Sequence, residues 1–108
     1  MSKKKIYISL PITGQPIVEA RKKAQAIKTE ISKMGHVVIT PFDVCPKKDM
    51  PYSYYMGKDI MALLECDAIL MMPGWSASKG CMAEFEVAKI YNKELLFFNE
   101  LKESCLKI

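Results

Sequence analysis

Three carboxylate residues stand at positions where a 108-residue chain could do acid–base or nucleophilic chemistry. Glu84 and Glu86 lie two residues apart in PGWSASKGCMAEFE, and Asp59 lies in YSYYMGKDIMALLEC. At about 100° per residue, two glutamates so spaced cannot share a helix face. Glu84 falls in an arc with Cys81, Phe85, Val87, Ala88 and Tyr91, and so faces a core or a cleft. Glu86 falls between Lys89 and Lys93, an ordinary solvated position with cationic neighbours. Asp59 repeats the Glu84 pattern one helix earlier. Tyr52, Tyr55, Met56, Ile60 and Leu63 share its side, whereas Lys58 and Glu65 point the other way. An ionised carboxylate is rarely buried without a partner. Two carboxyl groups at one cleft can divide labour as nucleophile and proton donor in glycosidic bond cleavage. The plainer alternatives are a Glu84 whose head escapes to water or caps backbone, and an Asp59 that is a surface residue shielded by tyrosines.

Other residues carry weaker signals. Tyr7, in KIYISL, is either core or a hydroxyl that serves a cleft carboxylate, since a buried tyrosine needs a partner. Ser76, Ser78 and the amides near Gly80 precede a helix N-terminus, which is either an anion site or simply capped. Thr13 and Gly14 can offer backbone to a phosphate. Trp75 is a stacking wall or a lid on the core. His36 opens a strand and lacks the partners of a catalytic histidine. Asp67 caps a helix-to-strand link, and the methionines fill core.

Alternating strands and helices must position these groups. KIYISL (Lys5 to Leu10) predicts a buried strand, ended by Pro11. Ala20, Ala24, Ile27, Ile31 and Met34 recur at helical spacing in the next segment, and Gly35 stops that helix. HVVIT (His36 to Thr40) predicts a second strand, and residues 41 to 51 a loop. A helix from Tyr52 to Cys66, a strand from Asp67 to Met72, a helix from about Ser78 to Tyr91 and a strand from Glu94 to Phe98 follow. The tail NELKESCLKI predicts a last short helix. Such alternation implies right-handed βαβ crossovers and a parallel sheet covered on both faces. The expectation is a single α/β domain over residues 1–108, a doubly wound Rossmann- or flavodoxin-like sandwich with four parallel strands in the order 2-1-3-4. Ligands of such sheets bind at the carboxyl ends of strands, where the winding reverses. Here that point lies between strands one and three. The loops meeting there are LPITGQP, which begins at Leu10, and PGWSASKG.

Composition excludes several classes. Half the residues are hydrophobic, enough for a modest core. The net charge of +4 is mild and comes partly from the lysines at positions 3 to 5. No basic stripe with interleaved aromatics argues for a nucleic acid polymer. The four cysteines, Cys45, Cys66, Cys81 and Cys105, show no Cys-x-x-Cys spacing, so zinc is poorly supported and reduced thiols in a cytoplasmic protein are the simpler reading. No apolar run is long enough to span a membrane.

Together YISLPITG, D-I-x-x-L-L-x-C-D-A-I and PGWSASKGCMAEFEVAK resemble the nucleoside 2-deoxyribosyltransferase-like superfamily, over nearly the whole chain. The similarity is greatest to a branch of small bacterial and phage proteins that share a W-x-x-S-x-G-x-x-x-E segment. The deoxyribosyltransferases and deoxynucleoside 5′-monophosphate N-glycosidases of that superfamily break the sugar–base bond with a glutamate nucleophile. By motif, the resemblance puts that glutamate at Glu84, the aspartate near the leaving base at Asp59, and the tyrosine that holds the nucleophile at Tyr7. In the glycosidases a serine six residues before the nucleophile binds the 5′-phosphate. Here that position is Ser78, followed by Lys79, whereas the transferases have an aspartate there. The glycosidases also carry a GGR-type loop after strand one. This chain has Pro11-Ile12-Thr13-Gly14-Gln15 instead, and no arginine before Arg21.

The resemblance implies an N-glycosidase or deoxyribosyltransferase that needs no cofactor or metal. Leu10, Thr13, Gly14, Trp75, Ser76, Ser78, Lys79 and Gly80 would line the site for a nucleoside or nucleotide. It also implies a homo-oligomer, because relatives assemble. The competing reading is a non-catalytic module that binds a nucleotide or similar small ligand on the same fold.

Overall fold

A computed structural model describes residues 3–12, 14, 16–44 and 49–99 of the chain. The four strands are β1 (Lys5–Ser9), β2 (Val37–Ile39), β3 (Ala68–Met71) and β4 (Glu94–Phe97). The helices are α1 (Ile17–Lys33), α2 (Pro41–Val44), α3 (Tyr52–Leu64) and α4 (Lys79–Ile90), with a 3₁₀ turn at Trp75–Ala77. The strands form one all-parallel sheet in the order β2-β1-β3-β4, as expected. Most elements stop a residue or two inside the predicted bounds, because strand and helix ends lose their pairing first.

Alternation along β1 sorts the core into two layers. Ile6, Ile8 and Leu10 face α1 and pack with Ala20, Ala24, Ile31, Val38, Leu70 and Met72. Tyr7 faces the other way, into a layer with Ile69, Met71, Leu63 of α3, and Cys81 and Ala88 of α4. Alanines at the α1 contact let that helix lie close to the sheet, and a fully buried side chain such as Leu63 contributes about 1.5–3 kcal/mol. Met34 and Tyr91, both expected on apolar faces, are 45% and 59% exposed. Each is the C-cap of its helix, past the last turn that the sheet covers. Gly35, at φ 92°, supplies the left-handed turn that returns the chain to β2.

The segment expected as loop begins with α2. The Thr40 amide donates to Asp43 Oδ2 at 3.0 Å, and the Asp43 amide donates to Thr40 Oγ1 at 3.3 Å. This reciprocal pair, with Pro41 in the first turn, is a capping-box arrangement strong enough to start a short helix. The predicted C-terminal helix falls almost wholly beyond Asn99, outside the described residues.

Polar contacts at the amino end of the sheet are structural. Asp67 Oδ2 accepts from the Lys5 amide at 2.8 Å, His36 Nδ1 accepts from the Lys4 amide at 3.1 Å, and Lys4 pairs with Glu94. Among the described residues no helix is long and apolar enough to cross a membrane.

Candidate active site

The carboxyl half of β1 presents two hydroxyls on the face that α4 covers. Tyr7 and Ser9 are two residues apart, so the strand period of two points both the same way. Each has 0% exposure. Above them α4 places Glu84, itself only 4% exposed. The Tyr7 hydroxyl donates to Glu84 Oε2 at 3.0 Å, and the Ser9 hydroxyl donates to Oε1 at 2.6 Å. Both oxygens of a buried carboxyl are thus held by hydroxyls of one strand. Among the described residues no lysine or arginine pairs with Glu84; the ion pairs lie at the surface.

Asp59, on α3, is the second buried carboxyl, at 9% exposure. Burial pushes Glu84 up to about 7, against the opposing hydrogen bonds from Ser9 and Tyr7. Burial likewise pushes Asp59 up to about 7, and the nearby Glu84 charge adds to the rise while the Tyr7 hydroxyl opposes it. Tyr7 is raised well above the usual phenol value, first by burial and then by Glu84 and Asp59. Two carboxyls that repel in a dry site disfavour each other's ionisation, so the pair titrates as a unit near neutrality. The two donors on Glu84 favour its charged form.

The remaining residues sort by position. Glu86 is exposed and lies 3.4 Å from Lys89, a surface pair of little energetic weight. Ser78 is the N-cap of α4: its hydroxyl accepts from the Cys81 amide at 3.3 Å. Lys79 and Ser76 are exposed. Gly80 lies against α3, where a Cβ would come within 3.0 Å of the Tyr52 hydroxyl and 3.4 Å of Met56 Sδ. Trp75 stacks on Phe85 at 4.7 Å and reaches Phe97 at 6.0 Å, so it covers the core layer beneath. Leu10 faces α1, on the opposite side of the sheet from Glu84. Gly14 is exposed at φ 82°, and Thr13 lies outside the described residues. A cavity of about 300 Å³ opens beside the ends of β3 and β4, lined by Met71, Pro73, Trp75, Ser76 and Phe97 among others. Another of the same size lies on the α1 side, between Leu10, Ile27 and Phe98. Neither is lined by Glu84 or Asp59.

Two site residues escape a reading based on helix angles. Ser9 is legible from strand alternation with Tyr7, but KIYISL reads first as a continuous apolar run. Cys81 belongs to the apolar arc of α4, yet its thiol neighbours the Ser78 and Ser9 hydroxyls as well as Glu84 and Asp59. Burial raises that thiol, so it stays protonated near neutrality.

The sheet order and the helices on both faces are those of the nucleoside 2-deoxyribosyltransferase-like superfamily. A 2-deoxyribosyltransferase from Bacillus psychrosaccharolyticus superposes with a TM-score of 0.67 at 17% identity, covering 86% of this chain and 70% of that one. A CMP N-glycosidase from Clostridium botulinum superposes at 0.61 with 20% identity, covering 87% and 70%. A 2-deoxyribosyltransferase from Leishmania mexicana superposes at 0.67 with 25% identity; 88% of this chain matches 63% of that one. In sequence, the chain belongs to the family described as Domain of unknown function (DUF4406), whose model matches residues 4–97. No curated protein matches it by sequence.

Proposed function

We propose that this protein cleaves or transfers the N-glycosidic bond of a 2′-deoxynucleoside or its 5′-monophosphate through a covalent glutamyl-deoxyribosyl intermediate. The observation that carries the reading is the pair of buried carboxyls, Glu84 held at both oxygens and Asp59 beside it, each raised to about 7. The names of the structural neighbours, two deoxyribosyltransferases and an N-glycosidase, support the same chemistry.

Ionised Glu84 attacks the anomeric carbon as the carbon–nitrogen bond breaks, through an oxocarbenium-like transition state. The bond electrons leave with the base, and protonated Asp59 gives it a proton. Tyr7 keeps the Glu84 carboxylate in line. Water, or the nitrogen of a second base, then attacks the same carbon and loses a proton to Asp59, and Glu84 departs as carboxylate. Trp75, Ser76, Ser78, Lys79 and Gly80, from the loop after β3 and the start of α4, together with Thr13 and Gly14, would hold the sugar and any phosphate.

The test is a panel of deoxynucleosides and their 5′-monophosphates incubated with purified protein. Free base is measured by chromatography, and the adduct on the peptide containing Glu84 by mass spectrometry. Base release with a deoxyribosyl adduct at Glu84 is expected. Ligand binding without turnover or adduct would reassign the protein as a binding module.

A further inference from the structure

Ser9 makes the shorter of the two contacts to Glu84. Its 2.6 Å separation lies in the range of a charge-assisted O–H···O⁻ bond, whereas the Tyr7 contact at 3.0 Å is longer than that range. The two donors approach different oxygens, so together they prevent rotation of the carboxyl plane about its last torsion, which is otherwise soft. We infer that Ser9 is a positioning residue for Glu84: its hydroxyl holds Oε1 while Tyr7 holds Oε2, and the carboxylate needs both grips to stay aligned and charged in its dry pocket. This inference rests on the reading of Glu84 as nucleophile.

The surroundings give Ser9 that weight. The titratable groups near Glu84 are Tyr7 on β1, Asp59 on α3 and Cys81 on α4. Among the described residues none of these neighbours is a cation, and Asp59 and Glu84 disfavour each other's charge. Burial opposes ionisation, and among the described residues the Ser9 and Tyr7 hydroxyls offset it. The backbone of Ser9 is also anchored, since its carbonyl accepts from the Met72 amide at 3.0 Å at the edge of the β1–β3 pairing. The hydroxyl is therefore delivered from the rigid sheet, at the strand end where the winding reverses.

The test compares Ser9→Ala and Ser9→Thr with wild type by two readouts. The first is the pH dependence of kcat/KM for base release. The second is the Glu84 side-chain titration followed by carbon NMR on glutamate-labelled protein. A hydrogen bond to a charged group is expected to move the ionisation by about one pH unit. Ser9→Ala should therefore raise the acid limb and the NMR midpoint by that amount. Base release should fall about tenfold at pH 6 and recover toward wild type at pH 8.5, and Ser9→Thr should restore the wild-type midpoint. If the alanine variant does not fold, Ser9→Cys, a weak donor of similar size, should shift the midpoint in the same direction. An unchanged midpoint, or a rate loss equal at all pH values, overturns the role. Absence of base release by wild type would overturn the catalytic reading instead, and the NMR midpoint would still decide whether Ser9 governs the charge on Glu84.

Discussion

The Tyr7 hydroxyl donates to Glu84 Oε2 at 3.0 Å, a bond that joins the second layer of the sheet to α4 across 77 residues of chain. It ties a strand whose position is set by pairing on both sides to a helix that carries the one buried carboxyl of that helix's polar set. Removing the donor leaves a carboxyl with burial on one oxygen and nothing to offset it. Tyr7→Phe should lower kcat/KM by about one to two orders of magnitude at pH 6, with a smaller loss at pH 8.5. Steady-state rates across that range check it.

The two glutamates of α4 make a paired control. Glu84→Gln should abolish base release and the covalent adduct. Glu86→Gln removes only an exposed contact with Lys89 and should leave both within about twofold of wild type. Equal loss in the two variants would contradict the difference in burial between them.

The carboxyl pair also predicts an unusual pH dependence of stability. Glu84 and Asp59 are raised to about 7 in the folded protein, above the ordinary carboxyl range of the unfolded chain. Between roughly pH 4 and 7 the folded state therefore binds more protons than the unfolded state, and the stability due to this pair falls as pH rises. Asp59→Asn removes one charge from the dry pocket. It should raise stability by about 1–2 kcal/mol at pH 8 and by little at pH 5. Denaturant melts at the two pH values measure the difference.

The proposed reaction, in contrast, needs the pair half protonated. The free-enzyme profile of kcat/KM should be a bell centred near pH 7, with limbs that belong to the pair and not to either residue. In Asp59→Asn one limb should disappear. A profile unchanged from pH 5 to 9 would show that the pair does not govern the rate.

Ser78 separates capping from ligand binding. Its hydroxyl caps α4, so Ser78→Ala should cost about 1 kcal/mol of stability. Ser78→Asp keeps a good cap and adds negative charge. It should retain wild-type stability, raise KM for 5′-monophosphates about tenfold or more, and spare nucleosides. A parallel rise in KM for both substrate types would remove Ser78 from the phosphate site.

Much of this arrangement is local and hence readable along the chain. Side-chain direction follows from period: 3.6 in α4 turns Glu84 inward and Glu86 outward, and 2 in β1 sends Tyr7 and Ser9 to the same face. The Thr40–Asp43 spacing that starts α2 is equally a local signal, obscured by the prolines around it. Leu10 shows the limit of proximity in sequence. It belongs to a loop at the right end of the sheet, yet its side chain turns to the α1 layer.

Residue types and their periods therefore set which groups could face inward and the layered α/β architecture that receives them. The meeting of partners is a different matter. Ser9 and Glu84 are 75 positions apart, and their 2.6 Å contact exists because β1 pairs with β3 while α4 crosses the same face. The same packing brings Asp59 of α3 to Glu84 and excludes water from both. A carboxyl's affinity for its proton is set by dielectric and by neighbouring charges and donors. Those come from elements far away in sequence, so the state of the Glu84–Asp59 pair emerges only when β1, α3 and α4 close around it.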